Sequence, residues 1–390
     1  MPSGKKTVLL TGATGFLGSH LMIKLLQKGH HLQVLGRPGK GHSLRERVLN
    51  LLNWFSAGHF ADHVTAFETD FTKADLGLGP KEYARLCAAE PMVIHCAADT
   101  SFAERNRQRV MALNVHALEG VLELVKKSRS ACFHYFSTAY AAGDVAGIVP
   151  ELPVTADRFH NVYEESKALA ESRVSRHCED FSIPYTIIRP AIVYGDSLSG
   201  RSLKFNALYS PVKSMQLIRD IYLHDVQQNG GAKSAQYGIF IDTDGYLHLP
   251  LRIFLPRRGF INLIPVDYFS AAAMAIIGTP AAGKTYHISS GKPSNMETLA
   301  NYSERLLRIK GLEVLYQTPD RNTTFNPPEE LFAHFLKPYY PYLSDTRQFE
   351  KKNTDAVTGG LAPPELSYEI FARCMEYAGS VGWGKALRDF

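Results

Sequence analysis

Cysteine is scarce in this chain, and no arrangement of it carries chemistry. The five residues Cys87, Cys96, Cys132, Cys178 and Cys374 are odd in number and widely spaced. No Cys-x-x-Cys pair is present, which excludes a zinc clip or dithiol couple at such a motif and fits a reducing compartment, the cytoplasm. Long apolar runs are missing too. Thr7-Val-Leu-Leu10 is too short for a signal peptide or a membrane span. Residues 260–278 are interrupted by Pro265 and Asp267, so they read as a buried strand, loop and helix. There is also no dense block of Lys and Arg. A net charge of +5 spread over 390 residues implies weak attraction to anionic ligands and argues against nucleic-acid binding. No repeat or low-complexity tract is found.

With 45% hydrophobic and 21% charged residues, the composition is that of an ordinary globular protein, long enough for two core-forming units. From residue 7 to about 195, short apolar runs alternate with longer helical patterns. Strands are expected at 7–10, 32–35, 64–68, 91–95, 131–136 and 185–188, with helices at 17–28, 80–90, 104–128 and 162–180. Leu113, Ala117, Gly120, Val121 and Leu124 recur at helical spacing and place 104–128 against the sheet. This alternation predicts an α/β fold, a doubly wound Rossmann-type parallel sheet over 1–195. Residues 196–390 are expected to form a smaller substrate-binding and lid region, with the chain returning to the sheet around 255–290. Within it, 201–228 reads as a long helix and 238–254 as strand with a turn at Asp242-Thr-Asp-Gly245. A tail rich in Pro, Tyr and Phe from Asn322 onward is expected to cover the substrate side.

The first strand runs into Thr11-Gly-Ala-Thr-Gly-Phe-Leu-Gly18 and then a helix. Gly12, Gly15 and Gly18 in this setting allow a tight turn and close backbone approach, and the helix N-terminus offers free N–H groups and partial positive charge to a pyrophosphate. Where the second strand ends, an NAD site carries an acidic residue for the adenosine ribose. Here stand Gly36 and Arg37, with Arg45 or Arg47 in the next helix, which suits the extra 2′-phosphate of NADPH. Asp70 and Phe71 follow the third strand and are placed to bracket the adenine, although an aspartate there equally caps a turn. His95-Cys-Ala97-Ala98 ends the fourth strand in small residues that leave room for the cofactor. Asn114, an amide within an apolar helix, needs a partner and is expected either to fix backbone near Lys167 or to bond a neighbouring loop.

Tyr163 and Lys167 stand four apart and share a helix face. A cation beside a phenol favours phenolate and lowers a pKa otherwise near 10, so Lys167 is expected to tune Tyr163 for acid–base work. Thr138, at the end of its strand, can donate to a carbonyl oxygen. A Tyr-x-x-x-Lys pair alone is common on helix surfaces. Here it follows a glycine-rich turn, alternating strands and a strand-terminal Ser137-Thr138.

These motifs, joined by Leu113-Asn-Val115, Tyr135-Phe-Ser-Thr-Ala-Tyr140, Asn161-Val-Tyr-Glu-Glu-Ser-Lys167, Arg189-Pro-Ala-Ile-Val-Tyr-Gly195 and Phe260-Ile-Asn-Leu-Ile-Pro-Val-Asp267, resemble those of the extended short-chain dehydrogenase/reductases. Within that superfamily the chain is similar to the fatty acyl-CoA reductase and thioester reductase group, over roughly residues 5–290. The resemblance implies an NADPH-dependent enzyme that reduces an acyl thioester, on CoA or a phosphopantetheinyl carrier protein, to an aldehyde and in some members on to the alcohol. It implies Thr138, Tyr163 and Lys167 as catalytic residues. Thr11, Gly12, Thr14, Gly15, Phe16, Leu17, Gly18, Arg37, Arg47, Asp70, Phe71, Ala97, Ala98, Asn114, Pro190, Ile192 and Val193 would accompany Tyr163 and Lys167 around the cofactor. No adenylation or carrier domain lies within the 390 residues, so the thioester is expected in trans. Residues 201–228 are expected to act as a lid, and Arg257-Arg258 either to meet a CoA or pantetheine phosphate or to form a solvated turn. Two other readings stay open: an NADP-dependent dehydrogenase of a secondary alcohol or ketone, hydroxysteroid-like, with sugar-nucleotide epimerisation disfavoured by Arg37; and a non-catalytic NADP sensor, which would not need Tyr163.

Overall fold

The computed structural model describes residues 7–387. Strands β1 (Thr7–Thr11), β2 (His31–Gly36), β3 (Val64–Glu68), β4 (Met92–His95) and β5 (Cys132–Phe136) alternate with helices α1 (Phe16–Gln27), α2 (Leu44–Trp54), α3 (Pro80–Cys87), α4 (Arg107–Met111) and α5 (Leu118–Lys127). After the short β6 (Ile148–Val149) come α6 (Val162–Asp180), β7 (Tyr185–Pro190) and β8 (Ile192–Tyr194). The chain continues through α7 (Tyr209–Gln228), α8 (Ala232–Ala235), β9 (Phe240–Ile241), β10 (Leu247–Phe254), β11 (Leu263–Pro265), α9 (Val266–Ile277) and β12 (Lys284–Ile288). It ends in α10 (Met296–Leu307), β13 (Ile309–Leu315), α11 (Pro327–Leu336), α12 (Tyr340–Leu343), β14 (Gln348–Phe349), α13 (Lys352–Thr358) and α14 (Tyr368–Ser380).

Seven strands form one sheet in the order β12-β7-β5-β4-β1-β2-β3, and every pairing in it is parallel. Parallel strands covered on both faces need near-continuous apolar runs, and all six residues of β7 are buried. One face is packed by α1, α2 and α9 through residues such as Leu21, Leu25, Leu51 and Phe269. The other is packed by α3, α5 and α6 through Leu86, Val121, Ala170 and Val174. The chain winds outward in both directions from β1, so a crevice opens at the carboxyl ends of β1 and β4, where ligands bind in such sheets. A separate core gathers α7, β10, α10, α11 and α14 around Val212, Leu251, Leu299, Phe332 and Phe371.

Strands and α6 lie where the sequence pattern puts them, and the Asp242 to Gly245 turn is closed by the Gly245 N–H donating to the Asp242 carbonyl at 3.0 Å. Two expected helices differ. The stretch 104–128 is broken into a 3₁₀ turn, α4, a π turn over Ala112–His116 and α5. The extra residue of the π turn accompanies a buried Asn114, whose amide bonds Asp99 N at 2.7 Å, Asp99 O at 2.9 Å and Ser166 Oγ at 2.9 Å. Residues 201–208 are not helical. Ala207 takes a positive φ of 46° there, and the helix starts only at Tyr209.

Candidate active site

The glycine turn closes on itself before α1 begins: Gly15 N–H donates to the Gly12 carbonyl at 2.9 Å. Gly12 has φ +73°, and a Cβ on it would lie 2.6 Å from Ala97 N, so β1 and the end of β4 meet at van der Waals distance. Gly18 is as constrained, with a Cβ 2.1 Å from the Gly12 carbonyl oxygen. Gly15 caps α1 without a side-chain acceptor, and the first turn holds no acidic residue, so its N–H groups and the helix dipole face the crevice. Thr11 does not line the crevice. Its hydroxyl bonds His95 Nδ1 at 2.9 Å and accepts from Ala97 N at 3.3 Å, so it sets the end of β4.

From this turn a cleft of about 690 Å³ runs across the sheet edge. Gly12, Thr14, Gly15, Phe16, Leu17, Gly18, Arg37, Arg47, Phe71, Ala97, Ala98, Pro190 and Val193 line it, and so do Thr138, Tyr163 and Lys167. Arg47 reaches back from α2 to the Arg37 carbonyl at 3.0 Å, and burial, with Arg37 beside it, lowers its affinity for its proton. Four other predicted residues stand off the lining. Asp70 turns its carboxylate to the Thr72 N–H and hydroxyl at 3.1 and 2.6 Å, the cap of a turn. Asn114 ties α6 to the Asp99 segment, Thr11 supports β4, and Ile192 faces an apolar slot beside α7. Arg257 and Arg258 are absent from the lining as well: both stand on an exposed turn, where Arg258 pairs with Glu297 at 2.7 Å and Arg257 donates to the Ser344 carbonyl at 3.2 Å.

Thr138 follows β5 immediately, extended at φ −150°, and its hydroxyl accepts from Tyr140 N at 3.3 Å as it starts a 3₁₀ turn. Tyr163 lies in the first turn of α6, whose N-cap Asn161 accepts from Glu164 N at 3.1 Å. The expected effect of Lys167 on Tyr163 is not what the geometry delivers. Burial pushes the phenol above its ordinary value near 10, with the Thr138 hydroxyl bonded to it pulling the other way and the nearby Glu164 adding to the rise. The Lys167 ammonium is engaged elsewhere: it donates to Tyr135 OH at 2.9 Å and to the Phe136 carbonyl at 2.6 Å. Burial pulls its pKa down to about 8, opposed by Glu171 and Cys96. A phenol shifted upward in this way stays protonated at neutral pH and is a proton donor, as reduction of a carbonyl requires.

The family profile of the male sterility proteins, an NAD-binding family, matches residues 10–273, from the end of β1 into α9. The chain belongs to that family. Among solved structures, this male sterility-family chain is similar to the terminal R domain from the myxalamid PKS-NRPS biosynthetic pathway, with a TM-score of 0.74 at 22% identity over 99% of this chain and 93% of that one. It is 26% identical over 380 residues to the nonribosomal peptide synthetase asaC of Aspergillus flavus, covering 90% of this chain and 33% of that protein. It is 31% identical over 228 residues to human fatty acyl-CoA reductase 1, covering 48% of this chain and 43% of the relative. The chain thus spans less than half the length of these curated relatives. It is an extended short-chain dehydrogenase/reductase fold with a nicotinamide cofactor site. Among the described residues, no helix is long and apolar enough to cross a membrane.

Several contributors to this family site escaped the sequence reading. Tyr135, the partner of Lys167, was legible in principle: it shares the period-2 face of β5 with Phe133, and that face packs against α6. Lys204, Asn206 and Ala207 also line the cleft, from the irregular segment before α7, where no periodicity points.

Proposed function

We propose that the chain is an NADPH-dependent reductase of an acyl thioester, carried on CoA or a phosphopantetheinyl arm, with the aldehyde as first product. The observation that carries this is the meeting of Thr138, Tyr163 and Lys167 in one cleft with the glycine turn and Arg37/Arg47. Support comes from relatives named as a nonribosomal peptide synthetase and as fatty acyl-CoA reductases. Gly12, Gly15, Gly18 and the α1 N-terminus fit the cofactor diphosphate, Arg37 and Arg47 a 2′-phosphate, and Ala97, Ala98, Pro190 and Val193 the flat body of the nicotinamide half. The bound nicotinamide supplies hydride. Thr138 and Tyr163 hold the thioester carbonyl oxygen between two hydroxyl donors and stabilise the negative charge that grows on it. Tyr163 gives its proton to that oxygen. When the resulting hemithioacetal collapses, its hydroxyl proton returns to the phenolate, the C–S bond breaks, and the sulfur leaves as thiolate, which takes a proton from solvent to become the free thiol. Lys167, held over Tyr135, keeps a positive charge beside the pocket. The free cysteines favour a reducing, cytoplasmic setting.

The test is NADPH oxidation, with NADH as control, on a panel of acyl-CoAs and acyl-pantetheines, with mass detection of thiol, aldehyde and alcohol. Thiol release in step with NADPH loss is expected, and Tyr163→Phe should lower kcat by about 10²-fold or more while leaving NADPH binding within about twofold. Turnover of a ketone or secondary alcohol with no thioester reduced would move the protein to the dehydrogenase reading.

A further inference from the structure

Glu164, adjacent to Tyr163 on α6, is completely buried. Its two oxygens are both used: Oε1 accepts from Tyr342 OH at 2.7 Å and Oε2 from His160 N at 3.0 Å. Burial raises its pKa, opposed by Tyr342, the His160 N–H and Arg347. Tyr342 comes from α12, 178 residues further along the chain. Its hydroxyl also accepts from Asn161 Nδ2 at 2.6 Å, so one phenol is bonded both to the cap and to the first turn of α6.

The ring of Tyr342 does as much as its hydroxyl. It stands edge-on to Tyr140 at 4.9 Å, in the 3₁₀ turn that Thr138 starts, and 5.6 Å from Phe102. Phe102 in turn lies 6.0 Å from the Tyr163 ring. The neighbouring tail reinforces the grip: Arg347 sits over Tyr140 at 4.9 Å and donates to the Gly143 carbonyl at 2.7 Å, while β14 pairs with β6. The same short tail segment therefore holds the turn after Thr138 and the turn before Tyr163, the two pieces of backbone whose spacing sets the distance between the two hydroxyls.

We infer that Tyr342 is a positioning residue for the Thr138 and Tyr163 pair, acting through its bond to the buried Glu164 carboxylate. This rests on the reading of Thr138 and Tyr163 as the donors to the substrate carbonyl. A hydroxyl donated to a buried carboxylate fixes position strongly because the carboxylate has no water to turn to. A displacement of a fraction of an ångström in either donor weakens the transition state more than the ground state, so the loss appears in kcat.

The experiment is a double-mutant cycle with Tyr342→Phe, which removes only the hydroxyl, and Glu164→Gln. Thermal melts and hydrogen–deuterium exchange over residues 138–143 and 160–167 are recorded on the same proteins. Each single variant is expected to lower kcat about tenfold with KM for NADPH within about twofold, and the double variant to fall no further than the worse single. Exchange in both segments should rise in Tyr342→Phe. Losses that multiply in the double variant, unchanged kcat, or a change confined to KM would each overturn the inference. If the wild type turned over no thioester, the cycle is run on whichever carbonyl it reduces; exchange confined to 160–167 would then overturn the joint hold on both turns independently of substrate.

Discussion

Replacing Lys167 by Met separates the energetic cost of the site from its chemistry. The Lys167 ammonium is 2% exposed, and burial lowers its pKa from 10.5 to about 8. Below pH 8 it is protonated in both folded and unfolded chains, and the full penalty of burying the charge is present. Between pH 8 and 10.5 the folded protein has released this proton while the unfolded chain still holds it, so the unfolded state binds more protons and stability rises with pH. Above 10.5 both are neutral and the gain is complete. That interval converts to about 3 kcal/mol. Buried tyrosines act in the opposite sense at high pH, since the unfolded phenol ionises first, but they are common to wild type and variant and cancel in the difference. Glu171, Cys96 and Tyr135, which face the ammonium, are the groups through which the cancellation is incomplete. The assay is denaturant unfolding of both proteins without cofactor at half-unit steps from pH 7 to 11. The wild type should gain about 3 kcal/mol relative to Lys167→Met across the window, with the variant the more stable at pH 7 and almost inactive at every pH. A flat difference curve, or one that falls with pH, would refute the burial argument.

Thr138→Val removes one of the two hydroxyls beside the expected carbonyl position; kcat should drop about 10²-fold with little change in NADPH binding, read from steady-state kinetics and fluorescence titration. Arg37→Ser and Arg47→Ser should each weaken NADPH about tenfold and leave NADH unchanged, so the ratio of the two dissociation constants is the decisive quantity. Gly18→Ala puts a Cβ 2.1 Å from the Gly12 carbonyl, and the turn cannot close around it. Cofactor affinity should fall by more than tenfold, and Tm should drop, by calorimetry with and without NADPH.

The sheet and its helices were readable because a parallel strand buried on both faces is an apolar run and its crossover helix has a different period; β3 and α6 fall where those periods put them. The glycine turn, Thr138, Tyr163 and Lys167 were readable for a related reason, since each depends on local spacing. What was not readable depends on contacts distant in the chain. The π turn at Asn114 exists to satisfy an amide against Ser166, 52 residues on. β13 joins β10 in parallel across about sixty residues, and nothing within Ile309–Leu315 announces that partner. Asp70 had two readings of equal local merit, and the one realised was decided by Thr72. The most consequential error concerned Lys167: the i, i+4 relation put it near Tyr163, but the strand behind the helix offered Tyr135 and the Phe136 carbonyl, and a buried ammonium takes the closest acceptors.

The attachment of α12 and β14 to the head of α6 has a consequence for the order in which the molecule can become active. The glycine turn leaves the ribosome well ahead of α6, and the sheet can grow through β7 as the chain lengthens, yet the head of α6 receives its Tyr342 bond only after residue 342 emerges and β6 its partner only after Phe349. A growing chain thus has a cofactor crevice long before it has a braced donor pair, and the two capacities are separated in time by about 150 residues of synthesis, several seconds or more at ordinary elongation rates.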